Sequence, residues 1–169
     1  FGFSGVSGAF LFLGVIAVFM LTGSVSFPEI HKALVAAPAS EHASVLVFGA
    51  LFLGLSAPML VFPAQLWAID AVQGAPAPAG AFLVGGLRAG AFAVAARTLV
   101  SVFSQPDVVP GRWAAVGAWG WTNWLAASAA LTLVVPALLS VRQTNAKRLL
   151  ACVGLLQGGF LLMGLLILE

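Results

Sequence analysis

No charged side chain occurs before Glu29, and none lies between Ala43 and Ile69, between Trp113 and Val141, or between Leu149 and Leu168. A helix needs about 20 consecutive apolar residues to cross a bilayer. Five runs reach that length: Gly5–Val25, Ala43–Ala68, Ala79–Phe103, Trp113–Val141 and Leu149–Leu168. None alternates apolar and polar residues with period 2, as barrel strands do. The sequence therefore predicts an all-α, polytopic transmembrane bundle of about five helices, forming a single transmembrane domain over residues 1–169. The longest loop, Ser26–His42, has no room for an extramembrane domain.

Composition excludes the alternatives. Charged residues make up 7% of the chain, against about a quarter in soluble domains. Seven basic and five acidic side chains cannot solvate a globule of 169 residues. A soluble enzyme, a disordered chain and a nucleic-acid binder are excluded, and a net charge of +2 is too small to imply a nucleic-acid partner. The single cysteine, Cys152, rules out a disulfide framework and a cysteine-based metal centre. His31 and His42 supply too few ligands for a metal, so no metal site is expected. Phe1 opens no signal-peptide pattern: no basic segment precedes the first run.

The loops hold most of the charge, because a charge at the bilayer centre costs several kcal/mol. Five spans put the Asp70 loop and the Arg142–Arg148 loop on one face, and Glu29, Lys32, Asp107 and Arg112 on the other. The excess of cations on the first face makes it the cytoplasmic or matrix side, with Asp70, Lys147 and Arg148 as its markers. Trp67, Trp113, Trp119, Trp121 and Trp124 stand near predicted helix ends, as interfacial aromatics do. Thr144 or Asn145 is placed to cap the last helix. Lys147 and Arg148 in its first turn oppose the dipole, which points to a surface or partner role.

Pro58 and Pro63 remove two backbone donors from the second span. That leaves a plain kink or a discontinuous helix lining a hydrated cavity. Arg88 lies nine or ten residues into the third span, near mid-membrane, whereas Arg97 can snorkel to an interface. An ionisable group inside the membrane is a functional candidate facing the bundle interior. No span of this chain carries an acid to pair with it, so an acidic partner must come from another polypeptide or from another part of a longer one. Gln157, Thr122, Asn123 and Ser128 can hydrogen-bond between helices. Gly14, Gly49, Gly54, Gly85, Gly86, Gly90, Gly154, Gly158 and Gly159 are expected to let helices approach closely.

Two segments carry a resemblance. LWAIDAVQGAPAPAGAFL, residues 66–83, resembles the LW-x-PDVY-x-GAP-x-P-x-x-x-FL segment of the antiporter-like membrane subunits of respiratory complex I. RQTNAKRLLACVGLLQGGFLLMGL, residues 142–165, resembles their Q-x-N-x-KR-x-LAYSSI-x-x-x-GY-x-L-x-G segment. The likeness extends, more weakly, through the first 55 residues, and is nearest the subunits called N in bacteria and 2 in mitochondria. It corresponds to about five central helices of a longer subunit.

The resemblance implies a place in the proton-translocating membrane arm of NADH:ubiquinone oxidoreductase, coupling quinone reduction to proton transport, as one piece of a split subunit 2. It implies a helix broken at Pro58–Pro63 and a polar axis through the membrane. No cofactor is expected on this chain; NAD, FMN, iron–sulfur clusters and quinone belong to partner subunits. The implied partners are other membrane-arm subunits, a chain carrying the remaining helices, and lipids. The implied location is the mitochondrial inner membrane, with the bacterial plasma membrane as the alternative. This sequence departs from the family pattern on the axis. The usual lysines fall at Pro58 and Arg88, and the usual histidines at Gln65 and Gln157. Arginine holds its charge, so the expected path residues are Arg88 as a fixed charge, with Ser56, Gln65 and Gln157. The competing readings are a non-pumping scaffold of the same arm, a component of a multisubunit cation/proton antiporter, and a five-helix structural protein.

Overall fold

A computed structural model describes residues 2–36, 41–99 and 121–167. The expectations at Asp107, Arg112, Trp113 and Trp119 lie outside the described residues. Among those residues the chain is helical and has no strand. In chain order the helices are α1 (Gly2–Thr22), α2 (Phe27–Ala36), α3 (Glu41–Met59), α4 (Leu66–Gly74), α5 (Ala77–Ala81), α6 (Arg88–Thr98), α7 (Trp121–Ser140) and α8 (Ala146–Ile167). A π-helical turn, Phe82–Leu87, joins α5 to α6 as one rod. Ser4–Thr22, Ala77–Thr98, Thr122–Ser140 and Ala146–Ile167 are long and apolar enough to cross a membrane. The 22 residues of α8 rise about 33 Å, matching a hydrocarbon core of about 30 Å. The apolar part of α3, Val45–Met59, is too short alone.

Glycine decides which helices meet. A Cβ at Gly54 of α3 would lie 2.6 Å from the Leu11 backbone of α1, and one at Gly14 would lie 2.8 Å from Leu51. On α8, a Cβ at Gly159 would sit 2.5 Å from Leu133 and 3.2 Å from the Ala129 carbonyl of α7. These contacts seat α1 on α3 and α7 on α8. Gly49, Gly85 and Gly90 do not act this way, because nothing lies within 4 Å of where their Cβ would be. The core gathers Phe48, Leu51, Leu55, Met59 and Val61 with Phe92, Leu125 and Leu162. Outward faces such as Phe12, Ile16 and Met20 of α1 stay exposed and apolar, as a membrane-embedded surface requires.

The structure corrects two sequence expectations and decides between two candidates for a third. The segment Ser26–His42 is not simply a loop, because α2 forms within it. The Ser26 carbonyl accepts from the N–H groups of Glu29 and Ile30, Ser24 Oγ donates to the Glu29 carboxylate, and Ile30 is buried in the core. Asp70 stands in α4, so the predicted loop around it shrinks to the Ala75–Pro76 elbow. Of the two cap candidates for α8, Asn145 is the cap: its Oδ1 accepts the Lys147 N–H at 3.0 Å.

Candidate functional site: a broken helix beside a buried arginine

Pro58 cannot donate to the carbonyl four residues earlier, which belongs to Gly54. That carbonyl is taken instead by α1, where Ser7 Oγ donates to it at 2.8 Å. One turn later α3 stops. The Val61 N–H donates to the Ser56 carbonyl at 3.0 Å, and the Leu60 N–H to the Ala57 carbonyl at 3.1 Å. This pair of bonds is a Schellman motif, whose left-handed C′ residue is usually glycine. Here it is Leu60, at φ 58° and fully buried. The Phe62 N–H leaves the helix and donates to Thr132 Oγ1 of α7 at 2.9 Å, and that hydroxyl donates to the Ser128 carbonyl at 2.6 Å. The break is thus closed by α1 and α7 through two hydroxyls.

Arg88 begins α6 directly after the π-helical turn, a local widening often found at functional sites. The side chain is 3% exposed. Its Nη1 donates to the Gly154 carbonyl of α8, and its Cζ lies 5.7 Å from the centre of the Phe92 ring. A Cβ at Gly158 would fall 2.6 Å from Nη2 and 3.6 Å from Val61 of the break. The two glycines thus form a socket that admits the guanidinium to the α8 backbone, next to the broken segment. Nε and Nη2 have no hydrogen-bond partner among the described residues. Gln65, at the far end of the break, is fully buried, and neither its Oε1 nor its Nε2 has a partner there.

The site residues read from the sequence therefore separate. Pro58 and Pro63 flank the break, Arg88 reaches the neighbourhood of Val61 within it across Gly158, and Gln65 is buried at the entry to α4. Ser56 is buried, but its hydroxyl donates to the Leu53 carbonyl at 2.7 Å, so it is turned back into its own helix. Gln157 does not join the site. It lies on the exposed side of α8, while Ala151, Cys152, Gly154, Leu155, Gly158, Gly159 and Leu162 face inward. At one end of the molecule the Arg148 guanidinium donates to the Asp70 carboxylate, tying α8 to α4. Cys152 is buried among Leu60, Ala68, Ile69 and Leu155. Among the described residues no three His, Cys, Asp or Glu side chains converge. Ser7, Thr132, Gly154 and Gly158 were missed as parts of the site. The proline at 58 marks a freed carbonyl, but the donor that meets it comes from another helix whose register the sequence does not display.

These features define a multi-pass helical membrane protein in which one helix is interrupted beside a buried cation. The chain belongs to the NADH:quinone oxidoreductase/Mrp antiporter transmembrane family, whose pattern matches residues 1–169. It is 32% identical over 162 residues to NADH-quinone oxidoreductase subunit N 1 of Sorangium cellulosum, covering 94% of this chain and 31% of that protein. It is 33% identical over 162 residues to the subunit N of Heliobacterium modesticaldum, covering 96% and 31%. Its fold matches a chain of the membrane-bound sulfane sulfur reductase, an archaeal respiratory membrane complex, with a TM-score of 0.79 at 26% identity, over 96% of this chain and 31% of the other. It matches a chain of respiratory complex I from Thermus thermophilus with bound aureothin with a TM-score of 0.71 at 27% identity, over 96% and 32%. The chain spans about a third of the length of these relatives. The resemblance carried by residues 66–83 and 142–165 thus extends over the whole sequence.

Proposed function

We propose that this chain forms the central helices of an N-type antiporter-like subunit in the membrane arm of an NADH:quinone oxidoreductase, where quinone reduction drives proton translocation. The observation that carries this reading is the buried Arg88 against the broken helix, in a chain similar along nearly its whole length to proteins named as subunit N. NAD, FMN, iron–sulfur clusters and quinone would be held by companion subunits. This chain would supply a fixed positive charge, since arginine keeps its proton. Two unpartnered guanidinium donors and the unpartnered Gln65 amide are the groups available to order water or meet an acid from a neighbouring segment. The remaining helices of the subunit, on this polypeptide or another, would provide that acid. The relatives named as subunit N are bacterial, which favours a bacterial plasma membrane over the mitochondrial inner membrane.

A second reading has its own support. Pro58 stands where the family has a lysine, Ser56 is bonded into its own helix, and Gln157 faces away, so the chain could act as a non-pumping scaffold of such an arm or of a related antiporter. Proton pumping by membrane vesicles carrying Arg88 variants separates the two. Under the proposed function, Arg88→Lys preserves assembly and most pumping. Arg88→Leu impairs assembly or coupling, because it strands a buried acid at a cost of about 3–5 kcal/mol. Normal assembly and pumping with Arg88→Leu favours the scaffold.

A further inference from the structure

The start of α8 carries charge that neither the break nor Arg88 uses. Cations are unfavourable in the first turn of a helix, yet Lys147 and Arg148 both stand there. Arg148 is matched by Asp70, the ion pair found among the described residues. Lys147 is exposed and has no such match, and the exposed Arg142 lies in the turn just before the helix. One acid against three cations leaves this end of the bundle positive.

Beside Lys147 a groove of about 250 Å³ runs between the α4–α5 elbow and α8. Its walls include Val72, Ala75, Gly80, Ala81, Val84 and Leu150. The walls are small and apolar, and Gly80 would hold a Cβ in ordinary contact with Val72, at 3.7 Å. The groove starts where α5 and α8 start, at one end of two helices long enough to cross a membrane. A cationic rim over an apolar slot, placed at the membrane boundary, complements an amphiphile with a negative head.

We propose that this groove binds one anionic phospholipid, with its phosphate at Lys147 and an acyl chain laid along Ala81 and Val84. Basic residues beside grooves between membrane helices hold such headgroups at about 1 kcal/mol per cation. The site is distinct from the broken helix, and it stands whether or not the chain takes part in proton transfer.

The test is lipid retention by the protein purified from its membrane and placed in nanodiscs of nine parts phosphatidylcholine to one part phosphatidylglycerol, read by native mass spectrometry. Phosphatidylglycerol should be retained above its share of the bilayer. Lys147→Gln, a change at an exposed side chain, should lower that preference about fivefold, and Lys147→Arg should keep it. Gly80→Leu, which fills the slot, should abolish retention with helicity unchanged. If this variant misfolds, the Lys147 pair decides the matter. Equal retention of the two lipids, or no response to Lys147→Gln, overturns the proposal. Displacement of the lipid by soluble glycerol phosphate would mean a free-anion site, and a photocrosslinker at Ala81 that captured polypeptide would mean a docked helix. Either result also overturns it.

Discussion

Leu60 adopts a left-handed conformation that costs a residue with a Cβ about 1–2 kcal/mol, and it does so fully buried. Leu60→Gly would relieve that cost but empty a space beside Cys152 and Leu155, so a net loss of about 1–3 kcal/mol in unfolding free energy is expected. Thr132 offers a cleaner probe. Thr132→Val keeps the shape and removes the acceptor for the half-buried Phe62 N–H, leaving that donor unpaired at about 1 kcal/mol. The expected outcome is a lower melting temperature with helix content retained. A melt equal to that of the native protein would show that the Phe62 N–H finds another acceptor. The prolines were legible from the sequence because proline acts on its own backbone. The hydroxyls that answer them were not, because a serine or threonine in an apolar run looks the same whether it bonds to its own helix, as Ser56 does, or to a neighbour, as Ser7 does.

Among the elements, α1, α7 and α8 overlap the apolar runs of the sequence, since a length near 20 residues without charge has one stable use in a bilayer. The short amphipathic α2 escaped notice because it is mixed in composition, with Pro28, Glu29, His31 and Lys32 among its apolar residues. The side of α8 on which Gln157 falls was not legible from the sequence. Only the positions of Gly154, Gly158 and Gly159 around α8 say which side packs, and the glutamine falls on the other. The α1–α3 contact is the most sensitive to volume. Gly54→Ala would press a methyl against the Leu11 backbone at 2.6 Å, which neither rigid helix can yield easily. It should cost about 1–3 kcal/mol and loosen the capture of the Gly54 carbonyl by Ser7. Gly49→Ala on the same helix, where no atom is near, should be neutral. Paired thermal melts of the two variants check the contrast.

At the scale of the molecule, Asp70 on α4 and Arg148 on α8 are joined, so the Gly74 elbow and the Thr144 turn belong to one end. Single cysteines at Gly74 and Thr144, both exposed, should react with a membrane-impermeant thiol reagent from the same side of sealed vesicles. Labelling from opposite sides would remove a crossing from the topology. The ion pair itself should matter little to stability, because both partners are partly exposed and such pairs contribute about 0.2–1 kcal/mol. Its role is registration of the short α4 against the long α8. The compartment that this end faces was foreseen only as a charge imbalance, and the vesicle experiment gives it a direction.

The socket under Arg88 also ties two positions on different helices to each other. A guanidinium is planar and forked, and here it reaches a backbone carbonyl because Gly154 and Gly158 leave nothing in its way. The absence of a side chain at Gly158 and the shape of the side chain at 88 are therefore energetically coupled. Gly158→Ala alone should damage folding by crowding the guanidinium, and adding Arg88→Lys should restore much of what was lost. That rescue would appear as a coupling energy of about 0.5–3 kcal/mol between the two sites in a double-mutant cycle.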